Sequence, residues 1–83
     1  MSERRRSKTV TQSTRLLGEF VRERRSANRM TQLQLGELAG TGTRVISDIE
    51  NGKPTLRMDA VNAVLAVFGK MLGVRDIPPV RED

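Results

Sequence analysis

The stretch Gln32–Gly52, QLQLGELAGTGTRVISDIENG, limits what this chain can fold into more than any other. Gly36 lies four residues after Gln32 and Gly40 four residues further; Ile46 and Ile49 are three apart. A helix needs a small residue where a second helix crosses it closely. A tight turn needs a residue that tolerates positive φ. A short helix packed behind the turn needs branched apolar residues three apart on its inner face. Those requirements, met in that order, are the arithmetic of a helix, a turn and a second helix whose size suits the major groove of duplex DNA.

Eighty-three residues allow one domain with a modest core, marginal by itself, so oligomerisation is the expected source of further buried surface. Without cysteine there is no disulfide and no thiolate metal site. Without histidine, imidazole zinc sites and His-based acid–base catalysis are excluded. No cofactor or metal is expected. Residues 1–30 carry nine Lys/Arg against three acids, a net of +6, and residues 31–83 six against seven, a net of −1. A basic end on a small domain suits a polyanion, and equally suits a solvated tail. No apolar run approaches a membrane span, and the basic start SERRRSK lacks the apolar segment of a signal peptide, so a cytoplasmic, nucleoid-associated protein is expected. Phe20 and Phe68 are the only aromatics, too few for the stacking by which single strands are bound. Duplex DNA fits better.

Along the chain, residues 1–12 are polar and aperiodic and read as a disordered basic arm. Ser13 or Thr14 caps a first helix to Ala27, with Leu17, Phe20 and Val21 on one face and Leu16 at its edge. Asn28 and Arg29 end it, Asn being a residue that accepts the left-handed conformation. Thr31 caps a second helix with Leu35, Leu38 and Ala39 inward; Gly40 ends it and Thr41-Gly42 completes the turn. The third helix runs Thr43 to Glu50 with Val45, Ile46 and Ile49 inward, and Asn51-Gly52 closes it by the left-handed route. After the loop Lys53-Pro54-Thr55, a fourth helix runs from about Arg57 to Phe68, with Met58, Val61, Val64, Leu65 and Phe68 as its apolar stripe and Asp59 suiting its dipole. These elements make residues 13–69 the domain. In residues 70–77, Leu72 and Val74 alternate with Gly73 and Arg75, before Pro78-Pro79 stops regular structure and leaves 78–83 as a tail. A lone strand there, centred on Met71, Leu72, Gly73 and Val74, needs a partner for its backbone, and the same strand of a second subunit would supply one. An irregular tail is the other reading.

The Thr31-Gln32 start, Leu35, Gly40, Ile46, Ile49 and the Glu50-Asn51-Gly52-Lys53 end resemble the Xre/lambda-repressor-like helix-turn-helix family. Within it, ELAGTGTRVISDIENGKPTLRMDAVNAVLAVFGKMLGV is similar to HipB-like antitoxins, as is the strand-like tail. The resemblance covers about Ser13 to Ile77 and implies an all-α, four-helix, lambda-repressor-like DNA-binding domain with a short C-terminal β-strand pairing across a dimer. Gly36 departs from the family, which commonly has Ala there, and Arg29 stands where it often has Gly.

In such proteins the third helix turns the start of its outer face to base edges. Here that face offers Gly42, Thr43, Arg44 and Ser47, with Asp48 beside it. Arg44 is the long cationic donor able to meet guanine O6 and N7 bidentately, at about 1–3 kcal/mol of discrimination. The resemblance implies phosphate contacts at Thr31, Gln32 and Asn51. For Gln32 the physics agrees, since free N–H groups and the dipole at a helix start attract an anion. Lys53 is an additional phosphate candidate. Arg4, Arg5, Arg6 and Lys8 either follow a groove or stay free. Arg25 and Glu50 match an ion pair of related repressors, which would brace the third helix against the first rather than read bases.

The leading expectation is a repressor of an inverted-repeat operator. It would act as a homodimer with recognition helices roughly 34 Å apart, as the antitoxin of a HipBA-like module that regulates its own operon. The resemblance implies a HipA-like kinase toxin as partner. A stand-alone Xre-type regulator, phage-like or of a restriction system, is the alternative. An adaptor that keeps the fold without DNA would want an acidic or apolar outer face, against which Arg44 and Thr43 argue. An enzyme is not expected, because the carboxylates scatter over helix surfaces and no pocket suits so small a core.

Overall fold

The computed structural model describes residues 2–77, with side chains from residue 12 onward. Four helices follow one another: α1 (Ser2–Ala27), α2 (Gln32–Ala39), α3 (Thr43–Glu50) and α4 (Met58–Val67). Val21 of α1, Leu35 of α2, Ile46 and Ile49 of α3 and Val61, Val64 and Leu65 of α4 form one buried cluster. Phe20 and Phe68 close one side of it edge to face, with ring centroids 6.4 Å apart.

α1 begins at Ser2, twelve residues before the start expected at Thr14, so the backbone of most of the arm is helical. Glu, Arg and Lys are straight-chain residues with good helix propensity. They extend a helix without giving it the apolar period by which a sequence reading finds one. The side chains of Arg4, Arg5, Arg6 and Lys8, expected either to follow DNA or to stay free, lie outside the described residues, as do residues 78–83. α1 ends in a left-handed residue that is Arg29, at φ 56°, and not Asn28. Asn28 instead donates its side-chain amide to the Arg24 carbonyl, while the N–H groups of Arg29 and Met30 return to Ser26 and Arg25. Arg29 bears the left-handed strain, about 1–2 kcal/mol for a residue with a Cβ.

The expected start of α2 holds in full. Thr31 Oγ1 accepts the Gln34 N–H at 3.0 Å and Gln34 Oε1 accepts the Thr31 N–H at 2.8 Å, a reciprocal capping box. Gly40 ends the helix at φ 73°, and the Gly36 and Glu37 carbonyls take the N–H groups of Thr41 and Gly40. Gly36 is buried against the turn backbone rather than a crossing helix: a Cβ there would stand 3.2 Å from Gly42 and 3.3 Å from the Thr41 carbonyl oxygen. α3 has the expected bounds, and Gly52, not Asn51, is the left-handed residue behind it.

A crossing unmarked in the sequence reading occurs at Gly18. A Cβ there would collide with the Ile49 carbonyl oxygen and come within 2.9 Å of that of Glu50. α1 therefore lies directly against the last turn of α3, at the residues that end the helix-turn-helix.

Two expectations about surfaces are corrected. Leu38 is 65 % exposed and Met58 69 % exposed. At about 100° per residue, Leu35, Gly36 and Ala39 define a stripe that leaves Leu38 on its far flank. Met58 opens α4 at its exposed start, while Leu56 in the preceding loop packs on the core in its stead. Residues 70–77 form no strand within this single chain; the expected pairing is with a second subunit. Leu72 packs against the core and its N–H is taken by Asn62 Oδ1 at 2.8 Å. Met71 and Val74 are exposed and Gly73 touches nothing within 4 Å of where its Cβ would be. One anchored leucine, with a side-chain acceptor for its N–H, accommodates this segment without a ladder.

Candidate nucleic-acid interface

α3 divides its eight residues between two jobs. Ile46, Ile49 and Glu50 are buried and Val45 is half-buried, whereas Thr43 and Arg44 are exposed and Ser47 and Asp48 half-buried. Residues 43 and 44 lie four and three positions before 47, and 51 lies four after it, so they share the outer face. Gly42, the N-cap, is extended at φ −93° and contributes no side-chain cap. The expected base-contacting set, Gly42, Thr43, Arg44 and Ser47, thus stands together at the start and outer side of one helix. Arg44 has no hydrogen-bond or ion partner among the described residues and is free to reach outward. Ser47 is tied back: its Oγ accepts Asn51 Nδ2 at 3.3 Å.

The phosphate candidates divide. Thr31 Oγ1 is occupied as an acceptor, which leaves its proton to donate. Capping takes the Gln34 N–H, and the Leu35 N–H goes to the Thr31 carbonyl, so the N–H groups of Gln32 and Leu33 are the open donors at the start of α2. Asn51 is exposed beside Ser47. Lys53 lies 3.6 Å from Asp48 Oδ2, a partly exposed pair that leaves the ammonium accessible. Met71, Leu72, Gly73 and Val74 belong to the separate segment after α4.

Behind this face, Glu50 has no exposed side-chain surface and gathers three partners. Arg25 grips it with one edge of the guanidinium, Nε to Oε2 at 2.6 Å and Nη2 to Oε1 at 3.1 Å, and its Nη1 donates to the Met30 carbonyl at 2.8 Å. Gln32 Nε2 donates to Oε1 at 3.1 Å, and Arg22 Nε stands 3.4 Å from the same oxygen. Burial pushes the Glu50 carboxyl up, but the hydrogen bonds from Arg25, Gln32 and Arg22 and the charge of Arg25 together outweigh it and hold the group below the ordinary glutamate range. The same contact raises Arg25, which stays charged. The expected brace between Arg25 and Glu50 is present, therefore, and it joins α1, the α1–α2 loop and the end of α3. Sequence reasoning missed Arg22 and the second duty of Gln32. Arg22 is three residues before Arg25, which puts it on the same face of α1; that spacing was the available signal.

Among the described residues no helix is long and apolar enough to cross a membrane, and no three His, Cys, Asp or Glu residues gather in a way that could hold a metal ion.

Comparison with known proteins agrees with the geometry. Residues 16–75 match a family model described as a helix-turn-helix domain. The chain is 40 % identical over 53 residues to a protein of Sinorhizobium fredii (strain NBRC 101917 / NGR234) called an uncharacterized HTH-type transcriptional regulator, y4mF; the match covers 64 % of this chain and 70 % of that protein. No solved structure matches. With the matched span running from the middle of α1 past α4, and the capped α2–turn–α3 unit at its centre, the chain belongs to the helix-turn-helix domain family.

Proposed function

We propose that this protein is a sequence-specific double-stranded DNA-binding regulator of transcription, with α3 lying in the major groove. The observation that carries the reading is Arg44, exposed near the start of α3 with Thr43 beside it and no partner among the described residues. The name of the Sinorhizobium relative, a transcriptional regulator, supports the same reading. On this reading the protein is a binding module and not an enzyme. It works as a homodimer on an inverted repeat, with one recognition helix per half-site roughly 34 Å apart. Thr31, Gln32, Asn51 and Lys53 hold phosphates and set the register in which Arg44 meets a base.

The finer reading is an antitoxin that represses its own operon and binds a HipA-like kinase. Its support is the similarity of Glu37–Val74 to HipB-like proteins. A stand-alone regulator is favoured by one observation, the relative's name, which speaks of transcription alone. Co-purification with the product of a neighbouring kinase-like gene decides between them; a dimer that captures none from cells expressing both leaves the stand-alone regulator.

DNA binding is tested by a gel shift on the protein's own promoter over a salt series. A shift at low salt with preference over random DNA is expected. No shift at low salt overturns the reading, and a steep salt slope without preference reduces it to nonspecific binding. Arg44→Ala should cost about 1–3 kcal/mol on the preferred site and leave the thermal midpoint unchanged. Equal loss on random DNA would make Arg44 a phosphate contact.

A further inference from the structure

The cluster around Glu50 holds more cation than a brace needs. Arg25 satisfies the carboxylate bidentately and spends its remaining nitrogen on Met30, so every nitrogen of its guanidinium is committed. Arg22 adds one 3.4 Å contact from Nε and keeps 58 % of its side chain exposed. Its Nη1 and Nη2 have no partner among the described residues. One carboxylate against two guanidiniums leaves the cluster with a surplus positive charge, and that surplus sits on the exposed arginine.

Gln32 adds direction. A carboxylate only accepts, so Glu50 turns the amide nitrogen of Gln32 toward itself and fixes the side chain. The amide nitrogen carries two protons and only one faces Glu50. Arg22 Nε and Gln32 Nε2 lie against the same oxygen, at 3.4 and 3.1 Å. Their unspent donors therefore start from neighbouring points, one on α1 and one on α2.

We propose that Arg22 and Gln32 form a two-sided clamp for one DNA phosphate, with Glu50 as the hidden post that spaces them. Arg22 supplies the charge and a pair of parallel donors suited to a phosphate's oxygens; Gln32 supplies a neutral donor aimed by Glu50. The proposal rests on the DNA-binding reading above and adds Arg22 to its phosphate contacts. A surface arginine that merely props Glu50 would have no effect on salt dependence, and that difference makes the clamp testable.

Full-length protein and its Arg22→Gln variant are titrated across a salt series on a promoter duplex and a random duplex, with thermal melts alongside. The clamp requires the slope of log K against log[salt] to become shallower by about 0.9 in the variant on both duplexes, the value of one phosphate contact. It also requires equal loss of affinity on the two sequences, with melts showing the variant still folded at the assay temperature. An unchanged slope overturns the clamp while leaving DNA binding standing. Wild-type protein that shifts neither duplex overturns the DNA-binding reading, and the clamp with it. Gln32→Ala and the double variant then ask whether one phosphate is shared. Losses that fall short of additive support sharing, since neighbours on one ligand couple; strictly additive losses show that the two side chains do not share a phosphate.

Discussion

Two acidic residues of α3, Glu50 and Asp48, each meet a cation and differ in almost everything else. The Glu50 side chain is wholly covered, and its partner Arg25 is 17 % exposed at 2.6 Å. Asp48 keeps 30 % of its side chain exposed and faces Lys53, 48 % exposed, at 3.6 Å. In water the second pair gains little Coulomb energy and must order two mobile side chains, so its worth is under about 1 kcal/mol. In the first pair, what matters is the penalty of leaving a covered carboxylate without its partner. Two residues along one helix, exposure decides which pair holds the fold and which is free to exchange its partner for a phosphate.

That contrast is open to attack. The largest effect is expected from Arg25→Ala, which strands Glu50 with only Gln32 and a distant Arg22; denaturant unfolding should show a loss of about 3–5 kcal/mol. A loss below 1 kcal/mol would make the buried pair no better than the exposed one. Gly18→Ala should follow, because its methyl group would meet the Ile49 and Glu50 carbonyls at the same seam. A net loss of about 1–3 kcal/mol is expected from overpacking, despite the helix propensity gained.

Acid should dissect the pair next. Glu50 has a native pKa below its value of 4.5 in the unfolded chain, so its contribution is present above pH 4.5 and fades as pH falls through the native value. Melting midpoints taken downward from neutral pH should drop in that window, and Glu50→Gln should flatten that part of the curve. A variant with the same acid limb as wild type would assign the limb to other carboxylates. The smallest effect belongs to Asp48→Asn, under about 1 kcal/mol in stability. On promoter DNA it should tighten binding, since it frees Lys53 and removes a charge that repels phosphate. Weaker binding would give Asp48 a part in holding the recognition face.

Much of this was legible because local rules governed it. Thr31, Gly40 and Gly52 mark helix ends by capping chemistry and positive φ, which act within a few residues and survive any tertiary context. The Arg25–Glu50 brace was legible by resemblance rather than by spacing, since nothing local links residues twenty-five apart. What escaped reading depends on neighbours. Leu38 and Met58 lie on apolar periods, but which flank of a period is covered is set by where the other helices stop. Gly18 looks like any weak helix former until α3 is laid across it. The start of α1 escaped because an apolar period marks packing, whereas Ser2–Lys8 is helical without one. Gln32 reads as a helix start; its bond to Glu50 appears only once α2 and α3 are side by side.

The division of labour within α3 has a consequence for how such a protein changes. Ile46, Ile49 and Glu50 are held by the core and by α1, and the seam at Gly18 leaves no slack behind them. Thr43 and Arg44 are exposed, and neither side chain has a hydrogen-bond or ion partner among the described residues. Substituting them costs the fold almost nothing, because surface changes away from special features usually fall within about 0.5 kcal/mol. The outer face is then an exchangeable label on a fixed mount: operator preference can be rewritten one side chain at a time, by selection or by design, in a protein that never has to relearn how to fold.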